Sequence, residues 1–111
     1  MQYWIAIHHP LDFDPPVADD ATMRDIDALN DEMVAAGVRL FAGGLRPPAA
    51  ARSIRVGDDG QARVSDGPYL RTQEYVGGFW ILDVADLDAA LAWGRKAALA
   101  CRTPVEVRPF F

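Results

Sequence analysis

The order of apolar segments predicts an α+β fold, with two helices covering one face of an antiparallel sheet. Three observations carry this reading. Short runs rich in Ile, Val, Phe, Tyr and Trp recur along the chain. Two longer segments between them repeat apolar residues at helical spacing. A glycine-bounded turn, Gly57-Asp58-Asp59-Gly60, separates two further strand-like runs.

Gln2 to His8 reads as a strand apolar on both faces. The next segment, HHPLDFDPPVADD, carries three prolines and four aspartates and reads as a loop. Thr22 to Ala36 is predicted helical, with Met23, Ile26, Leu29 or Asn30, Met33 and Val34 on one face. Asp20 or Thr22 is expected to cap it, and Gly37 to end it. Val38 to Leu45 is a second strand, whose Gly43-Gly44 pair suggests a bulge or a close backbone approach. Ser53–Val56 and Gln61–Ser65 form the hairpin around the glycine-bounded turn, and Asp66-Gly67-Pro68 turns the chain again. Gly78 to Val84 is the next strand. A second helix capped by Asp86 follows, with Leu87, Ala90, Leu91, Gly94, Ala98 and Cys101 at helical spacing. Val105 to Arg108 closes the chain as a strand. Without the hairpin this order is the split βαβ, ferredoxin-like pattern.

The 111 residues suit one domain, 1–111, and half of them are apolar. A net charge of −5 without a clustered basic face argues against a nucleic-acid footprint. The single cysteine excludes an internal disulfide framework and a cysteine-rich zinc site. No apolar run approaches the ~18 residues of a membrane span, and the N-terminus lacks a basic leader, so a cytoplasmic protein is expected. No P-loop, GxSxG, HExxH or dinucleotide fingerprint is present, and no motif demands a cofactor or metal.

The strands carry one consequence for assembly. Two helices cover only one face of such a sheet. Yet Trp4 and Ala6 oppose Tyr3, Ile5 and Ile7, and Phe79 and Ile81 oppose Trp80 and Leu82. A solvent face of that composition would be a large apolar patch. A homodimer packed sheet to sheet is therefore expected.

Several residues then form a recognisable set. They are Asp66-Gly67-Pro68-Tyr69, Thr72, Glu74, Gly77-Gly78-Phe79, Asp83-Val84 before Asp86-Leu87-Asp88-Ala89-Ala90, Val105 to Pro109, and Ala36-Gly37-Val38 leading into Gly43-Gly44-Leu45. In these the chain resembles the YCII-related family, and within it the group named for a DGPF motif. The resemblance implies a dimeric α+β barrel. Some YCII-like relatives have been assigned a hydrolytic or dehalogenating role using a His–Asp pair, with the histidine on the first helix. Here that helix has no histidine, so the pair does not transfer. Tyr69 stands where the group usually has Phe, and Arg71 where it often has an acid. Members of the group also occur beside, or joined to, extracytoplasmic-function sigma factors, which implies a regulatory protein partner.

Candidate chemistry centres on Asp66, either an Asx-type turn residue or a carboxylate at the rim of a cleft. His8 and His9 are the candidate proton-transfer groups. As strand neighbours they point to opposite faces, His8 with Trp4 and Ala6, His9 with Ile5 and Ile7. Arg46, Tyr69, Arg71 and Glu74 are candidate ligand-binding residues, an arginine gripping an anionic group in a forked geometry. Cys101 reads as a buried small hydrophobe. Two functions are compatible with this set. One is binding or transformation of a small, anionic molecule in a cleft between the sheet and the 66–78 segment. The other is a non-catalytic dimeric partner of a regulatory protein.

Overall fold

A computed structural model describes residues 1–13 and 19–111. The loop reading of 14–18 lies outside the described residues. The elements follow in the order β1 (Gln2–Pro10), α1 (Asp20–Ala35), β2 (Arg39–Gly44), β3 (Arg52–Val56), β4 (Ala62–Asp66), β5 (Glu74–Asp83), α2 (Leu87–Cys101) and β6 (Val105–Pro109). β2, β5, β1 and β6 lie side by side in one sheet, with every neighbouring pair antiparallel. The fold is the α+β, ferredoxin-like arrangement. Among the described residues, β3 and β4 pair only with each other.

Alternation decides what is buried. In β1, Tyr3 and Ile5 face the helices; opposite them in β5 stand Leu82 and Trp80. Leu29 and Met33 of α1, with Ala90, Ala97, Ala100 and Cys101 of α2, close the core over these strands. Ile5, Met33 and Leu82 are fully buried. Each such side chain contributes about 1.5–3 kcal/mol relative to exposure. Gly94 lets α2 approach β6: a Cβ there would lie 2.7 Å from Val107 Cγ2. On the surface, Arg102 pairs with Asp25 at 2.9 Å and Lys96 pairs with Glu32, tying α2 to α1. Exposed pairs of this kind add under about 1 kcal/mol each.

Helix ends follow local chemistry, with one correction. Asp19, rather than Asp20 or Thr22, caps α1; its carboxylate accepts from the Thr22 amide at 2.7 Å. That hydrogen bond draws the Asp19 pKa below its ordinary value. The helix accordingly begins two residues earlier than the apolar spacing predicts. At the other end Gly37 takes φ +70°. Its amide bonds to the Val34 carbonyl and the Val38 amide to Met33, both within 3.1 Å, forming a Schellman closure. Asp86 caps α2 as predicted, accepting from the Ala89 amide at 2.9 Å.

The predicted helix face of α1 is only partly inward, since Met23 and Val34 remain about half exposed. The irregularity of β2 falls between Arg39 and Phe41, not at Gly43-Gly44. That glycine pair instead makes the close approach, for a Cβ on the facing Gly78 would sit 2.9 Å from the Gly43 carbonyl oxygen. β5 starts at Glu74, ahead of the predicted Gly78, and carries Gly77 as an extra residue where pairing shifts between Ile7 and His8.

Candidate functional site

A cleft of about 1050 Å³ opens between the N-terminal half of α1 and the sheet. Its apolar wall is built from Ile7, Met23, Ile26 and Trp80. Its floor is backbone, because Gly43, Gly44, Gly77 and Gly78 put no side chains there. Among the candidates read from the sequence, His9 is the one that lines it.

His9 is held by rings. Phe13 stacks on the imidazole, with centroids 3.9 Å apart and planes 10° from parallel. Tyr75, its pairing neighbour in β5, stands 5.9 Å away at 60°. Gly77 makes the room: a Cβ there would lie 2.7 Å from His9 Nε2 and closer still to Cδ2. Burial disfavours the charged imidazolium and lowers the His9 pKa, and the neighbouring His8 charge lowers it further. His9 is therefore a neutral imidazole at pH 7, able to accept a hydrogen bond or a proton at one ring nitrogen.

Asn30 organises the opposite wall. Its side-chain oxygen accepts from Trp80 Nε1 at 2.9 Å and from Arg39 Nη1 at 3.1 Å. Its amide nitrogen donates to the Ile26 carbonyl at 3.1 Å, fixing the flip. Arg39 is thereby fixed at the rim with further N–H donors in hand. Asp12, Asp19, Thr22 and Asp27 add to the polar edge. At the back lie Cys101 and Arg102. Burial pushes the Cys101 thiol up to about 11, against the opposing influence of the Arg102 charge, so it is not a thiolate at neutral pH. Arg102 ends α2 in the left-handed region at φ 55°.

The other candidates lie elsewhere. His8 sits in β1 on the opposite face of the sheet from His9, its carbonyl accepting from the Thr103 hydroxyl. Asp66 ends β4, 93% exposed at its side chain, with its carboxylate 3.1 Å from Arg52 Nε. Gly67 takes φ +94°, its amide bonds to the Ala51 carbonyl at 2.9 Å, and its carbonyl accepts from Ser53 Oγ at 2.8 Å. The Asp-Gly-Pro turn thus closes the base of the hairpin. Arg55 lies 4.5 Å over the Tyr69 ring. Arg46, Tyr69, Arg71 and Glu74 are all exposed, and none of them lines the cleft. Sequence reasoning missed Phe13, Asn30 and Arg39. The one available signal was the position of Asn30 beside Leu29 on the inward face of α1.

Comparison with known proteins identifies the family. The YCII-related domain matches residues 1–110. An uncharacterised protein of Rhizobium meliloti (strain 1021) is 37% identical over 93 residues, covering 82% of this chain and 74% of its own length. The fold and the family match coincide over almost every residue, and this chain belongs to the YCII-related family.

Proposed function

We propose that the protein binds a small, largely apolar molecule carrying one weakly acidic group, and that His9 receives the proton or hydrogen bond of that group. The observation that carries this reading is the stacked, half-buried imidazole of His9 at the edge of an apolar cleft large enough for a drug-sized ligand. Arg39, held by Asn30, would meet an anionic oxygen at the rim. Asp66 and His8 take no part in this reading; their carboxylate and ring belong to other faces of the molecule. The expected homodimer completes it. Trp4, Phe79 and Ile81 leave an apolar sheet face opposite the helices, with Phe41 half exposed at its edge. A second copy packed there would cover it and leave the cleft, on the helix side, open.

The test is a titration followed at the imidazole carbons by NMR, with the weakly acidic phenols 4-nitrophenol, 4-cyanophenol and phenol as probes and uncharged benzamide as the control. With only two histidines, His9→Asn assigns the signals. At least one acidic probe is expected to move the His9 resonances and to lose tenfold or more in affinity in His9→Asn. Binding that leaves His9 unmoved, or no binding by any probe at millimolar concentration, would overturn the reading.

A further inference from the structure

The β3–β4 hairpin is an arm. The radius of gyration is 16.1 Å, and the longest extent is 50 Å. A compact chain of this length would have a radius of about 13 Å. On one side of the hairpin stand Ile54, Val56 and Val64, with Ala62 opposite Val56 in register. These three β-branched side chains are 65%, 73% and 66% exposed. An isolated two-stranded hairpin is marginal in water, and exposed β-branched residues on it gain nothing until they are covered. The exposure continues into the body: Leu40, Phe41 and Leu45, on or just after edge strand β2, are half exposed, and Tyr69 and Leu70, where the arm returns, are more exposed still.

Charge indicates what covers it. Residues 46–71 hold five arginines against three aspartates, a net +2, in a chain of net −5, so the remainder carries −7. Arg52 is paired with Asp66 and Arg63 with Asp59. Arg46, Arg55 and Arg71 make no ion pair among the described residues, and neither do Asp20, Asp27 and Asp31 of α1. The hairpin itself, 52–66, balances three arginines with three aspartates, so the excess positive charge lies at its base, on Arg46 and Arg71. An apolar arm with a basic base and an acidic body with an uncovered apolar sheet face therefore occur on the same chain. Reciprocal use of both satisfies a two-fold pair.

We propose that the β3–β4 hairpin is a clamp that packs its Ile54, Val56 and Val64 face onto a second copy of this chain, whose own hairpin does the same in return. The clamp rests on the homodimer reading above and extends it beyond the sheet.

Sedimentation of wild type, Ile54→Lys/Val64→Lys and Phe79→Lys, with hydrogen exchange of the hairpin amides, tests it. The hairpin residues are exposed in the protomer, so the double variant should keep the wild-type circular dichroism. Its dimer is expected to weaken at least 100-fold, and wild-type hairpin protection should vanish on dilution to monomer. Suppose the double variant dimerises like wild type while Phe79→Lys is monomeric. The sheet dimer then stands and the clamp is overturned, leaving the arm to a different partner. A wild type that sediments as a monomer at 100 μM concentration, roughly, overturns both.

Discussion

In the four-stranded sheet, Ile5 and Leu82 alternate with residues of the other face and lie fully buried under two helices. In the β3–β4 hairpin, Ile54 and Val64 face each other in the same antiparallel manner and are about two-thirds exposed. The local pairing is alike and the energetics are not. A ladder supplies register, but burial supplies the stability, and only the sheet has a layer to pack against. The same contrast separates the two candidate centres. His9 stands on a sheet strand and is enclosed by rings. Asp66 stands on the arm, where its carboxylate meets one arginine and solvent.

The largest expected effect tests that contrast directly. Leu82→Ala should cost about 2–5 kcal/mol in urea unfolding, since it removes a fully buried side chain and leaves a cavity. Val64→Ala, measured at a concentration where the protein is monomeric, should stay within about 0.5 kcal/mol. Comparable losses at the two sites would mean that the arm packs on its own body.

Next in size is Gly94→Ala. Alanine in a helix interior normally gains up to ~1 kcal/mol over glycine. Here its Cβ would press on Val107 Cγ2 at 2.7 Å, and overpacking costs about 1–3 kcal/mol. The net should be destabilising, and Val107→Ala added to it should restore part of the loss by opening the contact. A stabilised Gly94→Ala would show that α2 can shift away from β6. Smaller again, Asp86→Ala should cost about 1 kcal/mol through the lost cap of α2, with Asp86→Asn nearly neutral. Chemical denaturation of the three proteins side by side is sufficient.

Most of the fold was legible because the strands announce their faces. Tyr3, Ile5, Trp80 and Leu82 have period two in the sequence and the same period in burial. Boundaries were less legible where several residues could do one job. Asp19, Asp20 and Thr22 are all cap formers, and only backbone geometry chose Asp19. β5 extends back through Glu74 to Gly77, which lack an apolar alternation, because β1 supplies partners out to Pro10. The cleft was the least legible part. The apposition of Phe13 and His9, four positions apart across a chain reversal after Pro10, has no local signature, and the need for glycine at position 77 appears only when His9 lies opposite. Asp66 drew notice through a turn motif whose glycine and amide the hairpin base uses.

The smallest expected effect is a pH dependence of stability that originates at His9. Its folded pKa lies below the ordinary value of 6.5, chiefly because burial against Phe13 penalises the charge. On acidification the unfolded chain therefore binds this proton first. Stability falls wherever the unfolded state holds more protons, so the loss begins as pH drops through about 6.5 and levels off below the folded pKa. Asp19, whose pKa is lowered by the α1 cap, acts only below its ordinary value of 3.8 and outside this window. Urea unfolding at pH 7.5 and 5.5, on the order of two pH units apart, should show a loss for wild type that is reduced in His9→Gln. In Gly77→Ala the added methyl displaces the imidazole from its stack into water, and the loss should shrink there as well. An equal loss in all three proteins would place the titrating group elsewhere and return His9 to an ordinary, solvated imidazole. That outcome would also remove the desolvated, ring-stacked imidazole on which the reading of a weakly acidic ligand rests.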